Sequence, residues 1–224
     1  MRSPKNISGT TGRKRRDLAE LCVGYALILI VIWTPRPLQR PLYIATAISL
    51  AAVLVNSFTG WKQMGLRTVN LARSSWVVGV ALLGAAISMV VADRMHTLQW
   101  PGGPIPFLHR YIGYAIWSVL QQVLLQVFFL GRLLRLLRGP RTAALAAAAI
   151  FSLAHLPNPV LTVGAFVWGH AACLLFLRYR NLVPLAITHA ILGITLAITV
   201  PRPVIRNMRV GYGYLTYPAH HLNR

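Results

Sequence analysis

The sequence predicts an all-α fold: a polytopic transmembrane helical bundle of about seven spans, with six and eight as the bounds. Three observations carry that prediction. Apolar residues make up 56% of the 224 and charged residues only 12%, where a water-soluble domain carries roughly twice that charged fraction. The only carboxylate side chains are Asp17, Glu20 and Asp93, set against 23 Lys and Arg, for a formal charge of +20. Finally, the apolar residues fall into runs of the length that crosses about 30 Å of hydrocarbon as a helix. In lipid the backbone must satisfy its own hydrogen bonds, so these runs are helices and not strands.

The first run covers about 18–34. A basic stretch followed by LCVGYALILIVIW resembles the start of a signal peptide, but TPRPLQRP comes next and offers no small-residue cleavage site, so a retained helix is expected. Runs at about 41–59 and 75–92 are plain membrane spans. The fourth, about 111–131, carries Gln121 and Gln122 near its middle, with Gln126 one turn beyond Gln122 on the same face. In the fifth, about 142–160, Phe151 and His155 share a face and Asn158 follows Pro157. The sixth, about 161–178, carries His170, and the seventh, about 181–200, carries His189. The organisation read from this is a basic segment 1–17, N-terminal helices 18–105, a core 106–200 and a basic tail 201–224.

Basic residues set the orientation. With the N-terminus cytoplasmic, that side receives Arg2, Lys5, Arg13 to Arg16, Lys62, Arg67, Arg73, Arg132, Arg135, Arg138, Arg141, Arg178 and Arg180, roughly twice the number on the other side. The expectation is an integral, multi-pass protein of a bacterial cell membrane with its N-terminus cytoplasmic. The positive charge then belongs to loops attracted to anionic lipid headgroups, with membrane lipids and no nucleic acid as partners. The scarcity of acids excludes calcium loops, paired-carboxylate glycosidase sites and the HExxH zinc-protease pattern. Cys22 and Cys173 both lie in apolar stretches, which rules out a disulfide framework.

Polar side chains at membrane depth are costly and face the protein interior. Gln121, Gln122, His170 and His189 fall near their helix midpoints and His155 roughly 6 Å away from one, so four helices are expected to share a polar pocket. His96, His109, His220 and His221 are read as loop or tail residues. A neutral imidazole can act as a general base on water or hold a metal. His155, His170 and His189 match the ligand count of an open catalytic zinc site, but their spacing carries no metal signature and no carboxylate stands behind them. The cofactor stays unknown. Ser118 and Ser152 sit in no nucleophile motif.

Residues 110–195 resemble the CPBP (or Abi) family of type II CAAX prenyl endopeptidases and bacteriocin-processing membrane proteases, which is marked by EExxxR on one helix, FxxxH on the next and HxxxN on a later one. FSLAH, from Phe151 to His155, matches the second element, and His189 in ITHA matches the start of the third. Where the family has EExxxR this chain has QQxxxQ, with Gln121, Gln122 and Gln126; where the third motif ends in Asn it has Gly193. The resemblance implies a membrane endopeptidase in which a glutamate and a histidine activate water and an asparagine helps to stabilise an oxyanion. Carried onto this chain, the catalytic set is His155, His189, Gln121 and Gln122, with Gln126, Phe151, Asn158 and His170 supporting the pocket. The implied substrate is a membrane-tethered or lipidated peptide. An amide is nearly isosteric with a carboxylate but takes no proton at neutral pH. Two readings follow: a protease whose base is His155 or His189 with the glutamines positioning water, or an inactive relative that binds a peptide or lipidated partner without cutting it.

Overall fold

The computed structural model describes residues 7–57, 60–61, 64–66 and 68–217, and among them there is helix and no strand. The elements are α1 (Ile7–Trp33), α2 (Arg36–Asn56), α3 (Leu71–Ser74), α4 (Trp76–Arg94), α5 (Pro104–Val123), a π-helical stretch (Leu124–Leu130), α6 (Gly131–Leu136), α7 (Pro140–Leu153), α8 (Pro159–Tyr179), α9 (Val183–Thr199), α10 (Arg202–Ile205), a 3₁₀ turn (Arg206–Met208) and α11 (Gly211–Leu215). A helix answers each of the seven predicted runs. Four stretches are long and apolar enough to cross a membrane by length and composition: Arg36–Asn56, Leu71–Arg94, Pro104–Leu136 and Pro159–Tyr179. Helices α7 and α9 are apolar but shorter. The charges of α1 reach Glu20, leaving only its C-terminal half apolar.

Three expectations are corrected here. The fifth span does not run to residue 160. Helix α7 has 14 residues, stops at Leu153, and turns through a cis Leu156–Pro157 bond into α8, so His155 and Asn158 occupy the corner between the two helices. Proline fixes its own φ and pushes the residue before it out of helical conformation, and here its effect falls several residues upstream. Second, His109 is an exposed residue of α5 and not of a loop; His96 is in the turn after α4, and His220 and His221 lie outside the described residues. Third, Arg132 is not a headgroup-facing loop residue. It is 2% exposed, held by Glu20 at 2.7 Å, the Phe128 carbonyl at 3.1 Å and Ser57 Oγ at 3.2 Å, with its guanidinium 4.1 Å from the centre of the Phe128 ring.

Arg132 belongs to a polar clasp at one end of the bundle. Asp17 binds Arg135 through two hydrogen bonds of 2.6 and 2.8 Å, and Glu20 also accepts from Arg16 at 2.7 Å. Two of the three acids are thereby used to fasten α1 to α6. The Arg135 guanidinium holds the Asp17 carboxyl below the usual carboxylate range. At this same end the loop before α3 is tied to the start of α9, where Leu182 donates to the Gly65 carbonyl at 2.8 Å. At the opposite end Gln99 and Thr97 bind the carbonyls of Ile198, Thr199 and Val200.

Packing between helices relies on small residues, which let backbones approach where lipid offers no hydrophobic drive. Ala143, Ala144, Ala147 and Ala148 of α7 are all fully buried and face α8, where a Cβ on Gly169 would sit 3.6 Å from the Ala148 backbone. Leu125, Phe128, Leu130, Cys173, Phe176 and Leu185 fill the space around them. Ile87, Val90, Ile105, Ile116 and Val163 point outward, as lipid-facing residues do. The C-terminal segment folds over the α7–α8 corner. Asn158 Nδ2 donates to the Ile205 and Arg209 carbonyls at 2.8 and 3.1 Å, and Gly211 donates to the Leu156 carbonyl at 2.8 Å.

Candidate active site

Helix α5 presents Tyr114, Ser118 and Gln122 inward at four-residue intervals, the spacing that stacks side chains on one face. Gln122 is fully buried and Gln126 is 1% exposed. The helix widens to π geometry just after Gln122, a feature that recurs at functional sites because it rotates the following side chains relative to an α-helical register. Gln126 nevertheless stays within reach: its Nε2 donates to Gln122 Oε1 at 3.2 Å. With that oxygen occupied, the Gln122 amide nitrogen is what faces His189 Nδ1, 3.1 Å away on α9. His189 lies six residues beyond Val183, about 9 Å along the helix axis.

Helix α7 brings the second imidazole. His155 Nδ1 is 2.8 Å from the Phe151 carbonyl one turn back. A carbonyl oxygen only accepts, so the proton of neutral His155 is on Nδ1 and its lone pair on Nε2. The Phe151 ring touches both histidines, its centroid 4.9 Å from that of His155 and 6.0 Å from that of His189. Trp168 of α8 closes a further side, 6.3 Å from the His189 ring.

Beside these groups lies a cavity of about 1440 Å³, large enough for a drug-sized or larger apolar ligand. Gln121, Phe151, His155 and His189 line it, as do Tyr114, Trp168 and Gly193. Its far wall comes from α1 and α2, with Arg36, Gln39 and Arg40 at the start of α2, and Met208 and Val210 of the C-terminal segment also border it. Lipid-type side chains such as Leu50, Leu54, Leu120 and Ile150 supply most of the surface.

The sequence-selected residues therefore divide. Gln121, Phe151, His155 and His189 all line the cavity, the last three in contact through the Phe151 ring, and Gln122 and Gln126 form a buried chain behind His189. His170 is not among the lining residues; its Nδ1 is buried with no hydrogen-bond partner among the described residues. Asn158 is fully buried away from the cavity, its oxygen capping α8 through Leu161 N at 3.2 Å and its nitrogen holding the C-terminal segment. Among the described residues no three His, Cys, Asp or Glu gather to hold a metal.

A comparison with protein families matches residues 105–195 to the model described as type II CAAX prenyl endopeptidase Rce1-like. Residues 105–195 form an Rce1-like domain. It runs from the first turn of α5 nearly to the end of α9 and contains every catalytic candidate, while α1 to α4 and the C-terminal segment lie outside it. The match covers less than half of the 224 residues, within a chain whose apolar helices are those of an integral membrane protein. No curated protein and no solved structure is similar enough to register as a match.

Two features of the Rce1-like domain escape a reading by depth alone. Tyr114 lines the cavity although an aromatic residue in an apolar run reads as lipid-facing. The available signal was its place four residues before Ser118 and eight before Gln122, on the polar face of α5. Gly193 is the second: a Cβ there would overlap the Tyr114 phenol, so the helix gives up its side chain to let that ring in.

Proposed function

We propose that this chain is a membrane endopeptidase that hydrolyses a peptide bond in a membrane-tethered or lipidated peptide held in the 1440 Å³ cavity. The observation that carries this reading is that two imidazoles on one cavity wall are held in opposite tautomers. His155 keeps its lone pair on Nε2 because Nδ1–H is spent on the Phe151 carbonyl. His189, whose Nδ1 faces the Gln122 amide nitrogen, carries its proton on Nε2. One histidine is thus set to accept a proton and the other to donate a hydrogen bond.

The chemistry follows in order. A water held against Gln121 loses a proton to His155 Nε2 as its oxygen bonds to the scissile carbonyl carbon. Negative charge builds on the carbonyl oxygen and is met by His189 Nε2–H. The C–N bond then breaks, and the proton on His155 passes to the departing nitrogen, leaving a carboxylic acid and an amine. Gln122 touches neither substrate nor water, since both ends of its amide are engaged; it fixes the tautomer and ring plane of His189, as a neutral amide does in a Cys-His-Asn arrangement. No carboxylate is needed near the reacting atoms, and among the described residues none lines the cavity.

The N-terminus is assigned to the cytoplasmic side on the charge pattern alone. The test is cleavage of a quenched-fluorescent peptide bearing an S-farnesyl cysteine three residues from its C-terminus, presented in liposomes with the purified full chain. Turnover that His155→Ala abolishes supports the reading. Tight binding of the peptide with no turnover would replace it with a non-cleaving receptor for the same ligand.

A further inference from the structure

We propose that the Tyr114 hydroxyl is the second hydrogen-bond donor to the oxyanion, acting with His189 Nε2–H. This rests on the endopeptidase reading above and goes beyond it by assigning a residue outside every motif that the domain displays. Three observations converge. Tyr114, His189 and Gly193 line the same cavity. His189 and Gly193 are four residues apart on α9, so they stack on one face of that helix, one turn from each other. And the phenol of Tyr114 lies directly on the Gly193 backbone, its hydroxyl oxygen and the adjoining ring carbons occupying the place where any side chain at 193 would begin.

The glycine is costly where it stands. Gly in a helix interior is about 1 kcal/mol worse than Ala, and α9 is not bent or ended there. Its use is the close approach it permits, because even the methyl of alanine would displace the ring. What that approach brings is a phenolic O–H beside position 193, on the face of α9 from which the His189 side chain springs one turn earlier, ~5–6 Å along the axis. A carbonyl oxygen between the two would be flanked by an O–H and an N–H, the pair of donors that stabilises tetrahedral intermediates of acyl transfer. A purely apolar purpose would be served by phenylalanine at 114; the hydroxyl rests against Ser118, whose own Oγ–H is spent on the Tyr114 carbonyl at 2.9 Å, and turns from that oxygen to the oxyanion when substrate is held.

The experiment compares the full chain in liposomes with its Tyr114→Phe variant, which keeps the ring beside Gly193 and removes only the hydroxyl. The probe is the farnesylated quenched peptide, and the readouts are kcat and KM separately. The expected result is a roughly 10²-fold fall in kcat with KM changed less than about twofold. A phosphonamidate analogue of the same peptide, which carries a tetrahedral oxyanion, is expected to bind Tyr114→Phe weaker by that factor, while the uncleaved peptide binds equally well. Wild-type kcat and unchanged analogue affinity in Tyr114→Phe would overturn the role of Tyr114 and leave the endopeptidase intact, provided His155→Ala is dead. A wild-type chain that turns over no peptide, or an active His155→Ala, would instead bring down the endopeptidase reading and the donor role with it.

Discussion

Gln122 and His189, 67 residues apart in sequence, meet side chain to side chain at 3.1 Å in a fully buried contact. Because an amide can donate where a carboxylate cannot, this contact decides which nitrogen of His189 carries the proton. Gln122→Glu puts the question to the test. A carboxylate at 122 accepts from Nδ1–H, and paired with an imidazolium it leaves Nε2–H still in place. As pH rises through the pKa of that pair, the imidazolium gives up its Nε2 proton and the donor disappears. The variant is therefore expected to stay active near and below neutrality and to gain an alkaline limb in its pH–rate profile that the wild type lacks. A profile identical to wild type would remove the tautomer argument.

The two histidines are predicted to fail differently. His155→Ala removes the base and should lower kcat by roughly 10²–10⁴. Added imidazole is expected to restore part of that rate by entering the cavity the variant enlarges. His189→Ala removes a donor and leaves the buried Gln122 nitrogen without an acceptor, so it should lose roughly 10²–10³ in kcat with no rescue by a base. Both are measured with the liposome assay, beside membrane abundance of the protein. Equal rescue of the two would mean that their roles are not distinct.

How far the sequence reaches is seen by setting His170 beside His189. Axial rise puts both near the middle of their helices, and depth is all that a rise of 1.5 Å per residue can give. Rotation decides the face: Trp168 looks into the cavity, and His170, two residues and about 200° further round α8, is not among its lining residues. On α5 the four-residue spacing of Ser118, Gln122 and Gln126 made the polar face legible, and only the π widening after it was hidden, since nothing in LLQVFFL signals it. The end of α7 was misplaced because the apolar run continues through Pro157 to 160, whereas the helix stops at Leu153, four residues before that proline. The clasp had a signal that went unused. Asp17 and Glu20, three apart at the mouth of an apolar run, match Arg132 and Arg135, three apart on a facing helix.

That clasp predicts a stability profile with pH. Arg135 lowers the Asp17 pKa, so its contribution is present above the ordinary carboxylate range and lost as pH falls through the lowered value. Arg135 is 38% exposed, which discounts the pair to about 1 kcal/mol. Asp17→Asn should therefore flatten the fall in detergent Tm between about pH 5 and pH 2 and cost little at pH 7. Arg132→Met is the severe case. It strips the 2%-exposed partner from Glu20, which keeps only the exposed Arg16, and is expected to cost about 1–3 kcal/mol, read as a loss of Tm at neutral pH. If Arg132→Met melts with the wild type, α1 is not held by this clasp.

Asn158 predicts a stability effect separable from catalysis. Its oxygen caps α8, and its nitrogen holds two carbonyls of the C-terminal segment, so three backbone groups depend on one amide. Asn158→Ala forfeits a cap of about 1 kcal/mol and strands buried carbonyls at about 1–3 kcal/mol more. Asn158→Asp keeps the capping oxygen but replaces the donating nitrogen with an acceptor facing the Ile205 and Arg209 carbonyls. The aspartate variant should thus retain α8 and still release the segment over the α7–α8 corner, exposing residues 201–217 to limited proteolysis at a temperature where the wild type is resistant. Since Met208 and Val210 border the cavity, release should also raise KM for the lipidated peptide more than it lowers kcat. Protection of 201–217 in both variants would show that the segment is held by its apolar contacts and by the Gly211–Leu156 hydrogen bond without Asn158.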